Sequence, residues 1–225
     1  DPDYVAPDWL IDGAPSGINH PIDDPGIFPV CHHPADVHPT DLYCDLQTFR
    51  NYAGVEASDV AEKELTEHID KGHPACFDTE AELRDHLGAH GKGRGGDPIL
   101  SKIGLITKTK NMVTKVRMIL DTSESGVKYA TQKSNRVTLP RIFEAILKCL
   151  ILLTLVQSPQ EMVGGFVLDY KDAFWQIPLR QEEQRFFCAT ATIRGRKRWI
   201  AFLRTAQGST NAPTSWARVA ALVMR

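Results

Sequence analysis

One run of ten residues constrains this chain more than any other: Asp169-Tyr170-Lys171-Asp172-Ala173-Phe174-Trp175-Gln176-Ile177-Pro178. The apolar triplet ahead of it, Phe166-Val167-Leu168, reads as a buried strand that ends at Asp169. A second carboxylate follows three residues later, with aromatic side chains directly beyond. The residues before this run also read as strands. Ile103 to Thr107 and Val113 to Leu120 form a pair with Asn111 in the turn between them. The second strand places Val116, Met118 and Leu120 on one side of the pleat and Lys115, Arg117 and Ile119 on the other. Leu139-Pro140 opens a helix to about Val156, with Ile142, Ala145, Ile146, Cys149 and Leu150 facing inward and Pro140 in the favourable first position. After the run, Arg185 to Ile193 and Arg198 to Arg204 read as a hairpin around Arg194-Gly195-Arg196. Asn211 to Met224 reads as a helix with an apolar stripe of Trp216, Ala220 and Val223.

The first hundred residues have a different character. Residues 1–55 are rich in Pro, Gly and Asp, show few periodic runs and read as a mostly irregular, extended arm laid over another surface. A helix is expected over 56–72, capped by Ser58, striped by Val60, Leu65 and Ile69, and closed at Gly72. A second runs from Thr79 to Leu87 and closes at Gly88. The sequence Gly91-Lys92-Gly93-Arg94-Gly95-Gly96 then reads as a flexible basic linker.

Charge changes sign at this linker. Residues 1–100 hold twenty Asp and Glu against six Lys and Arg, or −14, whereas residues 101–225 hold eight against twenty, or +12, which together give the net −2. This places a boundary between an acidic lead-in, residues 1–97, and a basic region, residues 98–225. A basic half points to polyanionic partners, because Lys and Arg release counterions from phosphates. The alternative is two solvated surfaces of opposite sign that attract each other. A 42% apolar content is ordinary and supplies a core. The most apolar stretch, Ala145 to Val156, is too short for a bilayer, which needs about 20 residues. Five irregularly spaced cysteines suggest free thiols in a reducing compartment. With no signal peptide in view, an intracellular location, cytoplasmic or nuclear, is expected. The lack of an initiator Met and the end at Arg225 inside a helical pattern suggest that both termini are cuts.

The string Asp-x-x-Asp-Ala-Phe-x-Gln-Ile-Pro, followed some thirty residues later by Gln207-Gly208-Ser209 and Ala212-Pro213, resembles the first catalytic segment and the Gln-Gly segment of a reverse transcriptase of the retroelement type, similar to those of retrotransposons and retroviruses. The resemblance covers residues 101–225 well. Over 1–100 it is loose, carried by Trp9-Leu10 through Phe28-Pro29. It implies an α+β fold: the fingers and partial palm of a right-hand polymerase. It implies RNA-directed DNA synthesis on an RNA or DNA template-primer with dNTP, assisted by two Mg²⁺ ions about 3.5–4 Å apart. Asp169 would be the catalytic carboxylate and metal ligand, since Mg²⁺ prefers oxygen ligands held rigidly. An isolated Asp at a strand end is commonly only a solvent-facing terminus; the full string outweighs that reading.

The same resemblance assigns the neighbours. Asp172 and Ala173 would hold the incoming triphosphate through backbone N–H groups. Phe174 would lie under the sugar and exclude a 2′-hydroxyl, which also argues against an RNA-dependent RNA polymerase. Lys115 and Arg117 are similar to a basic pair on the fingers hairpin. Arg117 would stack over the base, and a turn-side lysine, Lys108 or Lys110, would reach the γ-phosphate. Gln207 would face the nucleotide. Gly208 and Pro213 would follow the template. Apart from the resemblance, the basic hairpin tip with Arg196 and Arg198 reads either as a phosphate contact with template or as a solvated turn.

The family palm also carries a second carboxylate segment, an aromatic residue followed at two positions by Asp-Asp. The eighteen residues after Gln207 contain no acid. The C-terminal palm and thumb are therefore expected to be missing, and this piece to be inactive alone. A non-catalytic nucleic-acid-binding remnant of a retroelement is the alternative. Two decoys are set aside. Cys31-His32-His33, His38 and Cys44 fit no standard zinc spacing, and Gly91 to Gly96 lacks the Gly-Lys-Ser/Thr of a phosphate loop.

Overall fold

The computed structural model describes residues 3–56, 58–88, 97–139, 141–158 and 160–223, without the side chain of His32. The expected linker at 91–96, Pro140 and Met224 lie outside the described residues. In chain order the elements are α1 (Ala6–Asp12), β1 (Val30–His33), α2 (Ala53–Glu56), α3 (Asp59–Asp70), β2 (Pro74–Phe77), α4 (Glu80–His86), β3 (Lys102–Lys110), β4 (Val113–Asp121), α5 (Val127–Ala130), β5 (Lys133–Asn135), α6 (Ile142–Thr154), β6 (Cys188–Ile193), β7 (Arg196–Phe202) and α7 (Ala212–Val223). Short 3-10 segments cover Pro39–Asp41, Ala173–Gln176 and Gln181–Phe186. The fold is α+β, with helices beside three small antiparallel sheets ordered β2-β7-β6, β3-β4 and β1-β5.

Local chemistry explains most of these elements. The β3–β4 register runs from Lys102 opposite Asp121 to Lys110 opposite Val113. Its two-residue turn, Asn111-Met112, has positive φ at both positions (50° and 61°). That is the mirror-image turn whose twist matches paired strands. Arg194-Gly195, with φ of 52° and 71°, closes β6–β7 in the same way. Ser58 caps α3 by accepting the Ala61 N–H at 3.3 Å, and Thr79 caps α4 by accepting that of Glu82 at 3.2 Å. On β4, Met118 and Leu120 are buried while Lys115 and Arg117 are exposed, as the alternation predicts.

The acidic lead-in and the basic region build one core. Strand β2 pairs with β7 along its length, Pro74 opposite Phe202 through Phe77 opposite Trp199. Leu65 of α3 joins Met118, Leu120, Trp175, Phe186 and Phe202 in a single apolar cluster. The N-terminal arm is stapled down by charge. The fully buried Glu183 carboxylate accepts the backbone N–H groups of Ser16, Asn19 (3.1 Å) and His20 (3.0 Å). Arg218 of α7, 1% exposed, donates to both oxygens of Asp3, 3% exposed, at 2.7 and 2.5 Å. The Trp9 ring covers that guanidinium at 4.2 Å. Asp78 pairs likewise with Arg198. Opposite charges on the two regions thus meet at particular pairs, one buried and one at the surface.

Four expectations need correction. Phe166 to Asp169 is not a strand; Val167 is 94% exposed and Phe166 76%. A strand exists only when a neighbour satisfies its N–H and C=O groups, and among the described residues none pairs with this segment. Helix α6 forms but is not buried: Ile142, Ala145, Ile146, Cys149 and Leu150 are all exposed. Its periodicity and the Arg141 N–H bond to Glu144 Oε2 (2.8 Å) define the helix locally, whereas burial needs an opposing surface that the described residues lack. On α7 Trp216 packs partly buried on the cluster around Trp9, as expected, but the fully buried residues are Ala212, Thr214, Ser215, Arg218 and Val219, and Val223 is exposed. Arg218 can be buried there because its guanidinium meets the Asp3 carboxylate. Within the irregular arm, Ala6–Asp12 is helical, started by Pro7 and anchored by buried Trp9.

Arg218→Ala would remove the buried guanidinium that meets both Asp3 oxygens, so urea denaturation should show a loss of about 3–5 kcal/mol. On α6, Leu147→Glu with Ile151→Lys should leave stability within about 1 kcal/mol, because nothing described packs on those side chains. The same pair should reduce binding of a hydrophobic dye; a collapse of the melting transition would show that α6 is covered.

Candidate functional site

A cavity of about 580 Å³ opens where four separate chain segments meet. Helix α3 contributes Glu64, Glu67 and His68, with Lys71 just past its end. Strand β4 contributes residues 114–118, including Lys115 and Arg117. The segment 169–175 forms the floor, and Gln207 closes one side. Asp169, Asp172, Ala173, Phe174, Lys115, Arg117 and Gln207, separated by up to 92 positions in sequence, therefore share one space.

The floor has a defined local structure. Asp172 adopts the left-handed conformation, φ 54° and ψ 35°, which Asp tolerates better than most residues. The Trp175 N–H then donates to the Asp172 carbonyl at 2.8 Å, giving one 3-10 turn. Thr205 Oγ1 donates to the Phe174 carbonyl, and Tyr170 meets Trp216 edge-on at 5.0 Å. Trp175 is buried beneath, against Phe202 at 5.6 Å. Phe174 remains half-buried at the cavity wall.

Gln207 is set by the backbone: the Leu120 N–H donates to its carbonyl at 2.8 Å. Gly208 has φ 108°, and any side chain there would collide with the Leu120 carbonyl. Its lack of a side chain thus serves close packing on β4, where the sequence reading expected close approach to a ligand. Lys108 and Lys110 project from β3 outside the cavity, with Lys108 opposite Lys115. Pro213 is exposed in the first turn of α7 and Arg196 is exposed on β7. Arg198 is engaged by Asp78.

Four residues at the site were not expected from sequence: Glu64, Glu67, His68 and Lys71. They fall at i, i+3, i+4 and i+7, a polar stripe on the face of α3 that the apolar stripe of Leu65 and Ile69 drew attention away from. Lys71 Nζ lies 2.8 Å from Asp172 Oδ2. Burial raises the Asp172 carboxyl, but the Lys71 hydrogen bond and charge outweigh it, so it is held below its usual range. Burial and the neighbouring Glu67 carboxylate push Glu64 up. Four carboxylates and four cations line the cavity, counting Lys171. The Asp169 carboxylate is exposed, and none of the described residues pairs with it. Among the described residues no three His, Cys, Asp or Glu side chains converge on a point that could hold a metal ion. Among the described residues no helix is long and apolar enough to cross a membrane. No family model matches the chain, and no curated protein matches it.

Behind Lys71, His68 and His73 are buried with their Nδ1 atoms 2.8 Å apart, so one ring donates and the other accepts. Burial is the main cause that lowers both, His73 to about 4, with His68 adding to that shift. In the unfolded chain each titrates near 6.5, so below that value the unfolded state takes up more protons. The stability held by neutral imidazoles is complete above pH 6.5 and is lost as pH falls toward 4. Urea titrations across that window should show this fall, and His73→Gln should make it shallower.

Proposed function

We propose that this chain is the fingers and partial palm of a reverse transcriptase of the retroelement type, and that the cavity holds an incoming deoxynucleoside triphosphate. The observation that carries the reading is the convergence of Lys115, Arg117, Asp169, Asp172, Phe174 and Gln207 on one space. The sequence resemblance assigns Asp169 to metal binding and the other five to nucleotide contact, and they arrive from three distant segments. The cavity is of ordinary size for a small ligand. Arg117 offers a planar cation for stacking and bidentate phosphate contact. Phe174 stands at the wall beside the Asp172-Ala173 turn, where bulk would deny space to a 2′-hydroxyl.

The described side chains do not fit the two Mg²⁺ ions that the family reaction uses. Asp169 is one free carboxylate, Asp172 is already paired with Lys71, and no third acidic ligand joins them. No step of nucleotidyl transfer is therefore assigned to these residues alone. The same fact favours the second reading, in which this chain binds nucleotide or nucleic acid without turnover. Both readings share the binding cavity. They separate on whether a second carboxylate segment accompanies it in a longer protein.

Calorimetric titration of the 225-residue chain with dATP and ATP tests the binding step. The deoxynucleotide should bind about tenfold more tightly, a difference of about 1.4 kcal/mol. Phe174→Ala should bring the two within about twofold, and Arg117→Ala should weaken both by loss of a charge-assisted contact worth about 1.5–3 kcal/mol. Primer extension by this chain alone should be undetectable. Failure to bind either nucleotide, or equal binding of both by the unchanged protein, would sink the reading.

A further inference from the structure

Lys71 belongs to the acidic lead-in, yet it stands at the cavity floor. Its position is fixed from both sides. The Lys71 N–H donates to the Glu67 carbonyl at 3.2 Å, and Gly72, at φ 70°, turns the chain out of the helix. His68 and His73 flank it and pack on the Trp175 ring at 4.7 and 5.5 Å. Those contacts hold the end of α3 against the 172–175 turn. The ammonium then reaches Asp172 at 2.8 Å while its side chain keeps 37% of its surface exposed. A lysine at a helix C-terminus is also favoured by the helix dipole. Lys115 and Arg117 present their charges from β4 on the other wall.

We propose that Lys71 is a phosphate-binding residue of this site, supplied by the lead-in region, and that its pair with Asp172 is the ligand-free position that a polyphosphate breaks. This rests on the nucleotide reading of the cavity. A phosphate chain brought to the Asp172-Ala173 turn enters the reach of the Lys71 ammonium. The flexible four-carbon stem lets the charge move to a phosphate oxygen without moving α3. The phosphates would thus be held by cations from two walls, Lys71 on one and Lys115 with Arg117 on the other. The lead-in would be part of the ligand site as well as a structural support.

The test compares dATP with dAMP on the 225-residue chain by calorimetry, with inorganic tripolyphosphate as the probe for phosphate alone. Lys71→Gln should weaken dATP and tripolyphosphate about tenfold, as loss of one charge-assisted hydrogen bond implies. It should leave dAMP within about twofold, and Lys71→Arg should restore dATP. Equal weakening of dATP and dAMP by Lys71→Gln would assign Lys71 a merely structural role and overturn the inference. Unchanged dATP affinity would also overturn it, while leaving the nucleotide reading intact. If the unchanged chain binds no nucleotide, the parent reading falls and this one with it. Should Lys71→Gln fail to fold, Asp172→Asn breaks the same pair with the lysine in place. That variant must keep or raise the preference for dATP over dAMP; a fall in that preference overturns the assignment.

Discussion

Trp175 is the point through which the candidate site is held together. Its indole is 3% exposed and meets four partners: His68 at the end of α3, His73 before β2, Phe202 on β7, and its own turn through the bond to Asp172. A large flat ring buried among three elements fixes their separation far more sharply than aliphatic contact would. Because the ring follows Phe174 directly in sequence, this packing also sets where Asp172, Ala173 and Phe174 stand. The two histidines can occupy that place because each satisfies the other's Nδ1, which removes the cost of burying an unpaired polar group.

From that anchor the other walls follow by backbone contact. Gly208 presses on Leu120, and the Leu120 N–H bond to Gln207 ties the segment after β7 to β4. Lys115 and Arg117 lie on the same strand and so keep a fixed relation to the floor. The lead-in is tied down twice more, by the Glu183 carboxylate that gathers three arm N–H groups and by the Arg218–Asp3 pair under Trp9. These contacts bury charge only where an opposite charge or several N–H donors meet it. Against this, α6 and the segment at 166–168 present a large apolar surface to solvent. A patch of that extent marks a contact surface or an aggregation site.

Features governed by a few neighbouring residues were readable from the sequence. The Ser58 and Thr79 caps, the closing glycines, both hairpins and the pleat of β4 each depend on chemistry within four or so positions. The charge split was readable too, although only the fold revealed that it resolves into pairs such as Asp3–Arg218 and Asp78–Arg198. The place of Arg218 in the buried face of α7 was not readable, because its burial depends on an acid 215 positions away. The polar stripe of α3 carries no signal in sequence, because Glu, His and Lys on a helix ordinarily face water.

The amino-acid order alone indicated where α3, α4 and the β3–β4 and β6–β7 hairpins lie, and it singled out the 169–178 run. Those properties follow from local hydrogen bonding and from side-chain period. Tertiary structure alone decided that residues from α3, β4, the 172–175 turn and Gln207 enclose one cavity, that Lys71 answers Asp172, and that residues 166–168 stay outside any sheet. Each of those outcomes depends on which distant surface comes to lie opposite. A strand or a buried charge is stabilised by its partner, and sequence spacing carries no record of who that partner is.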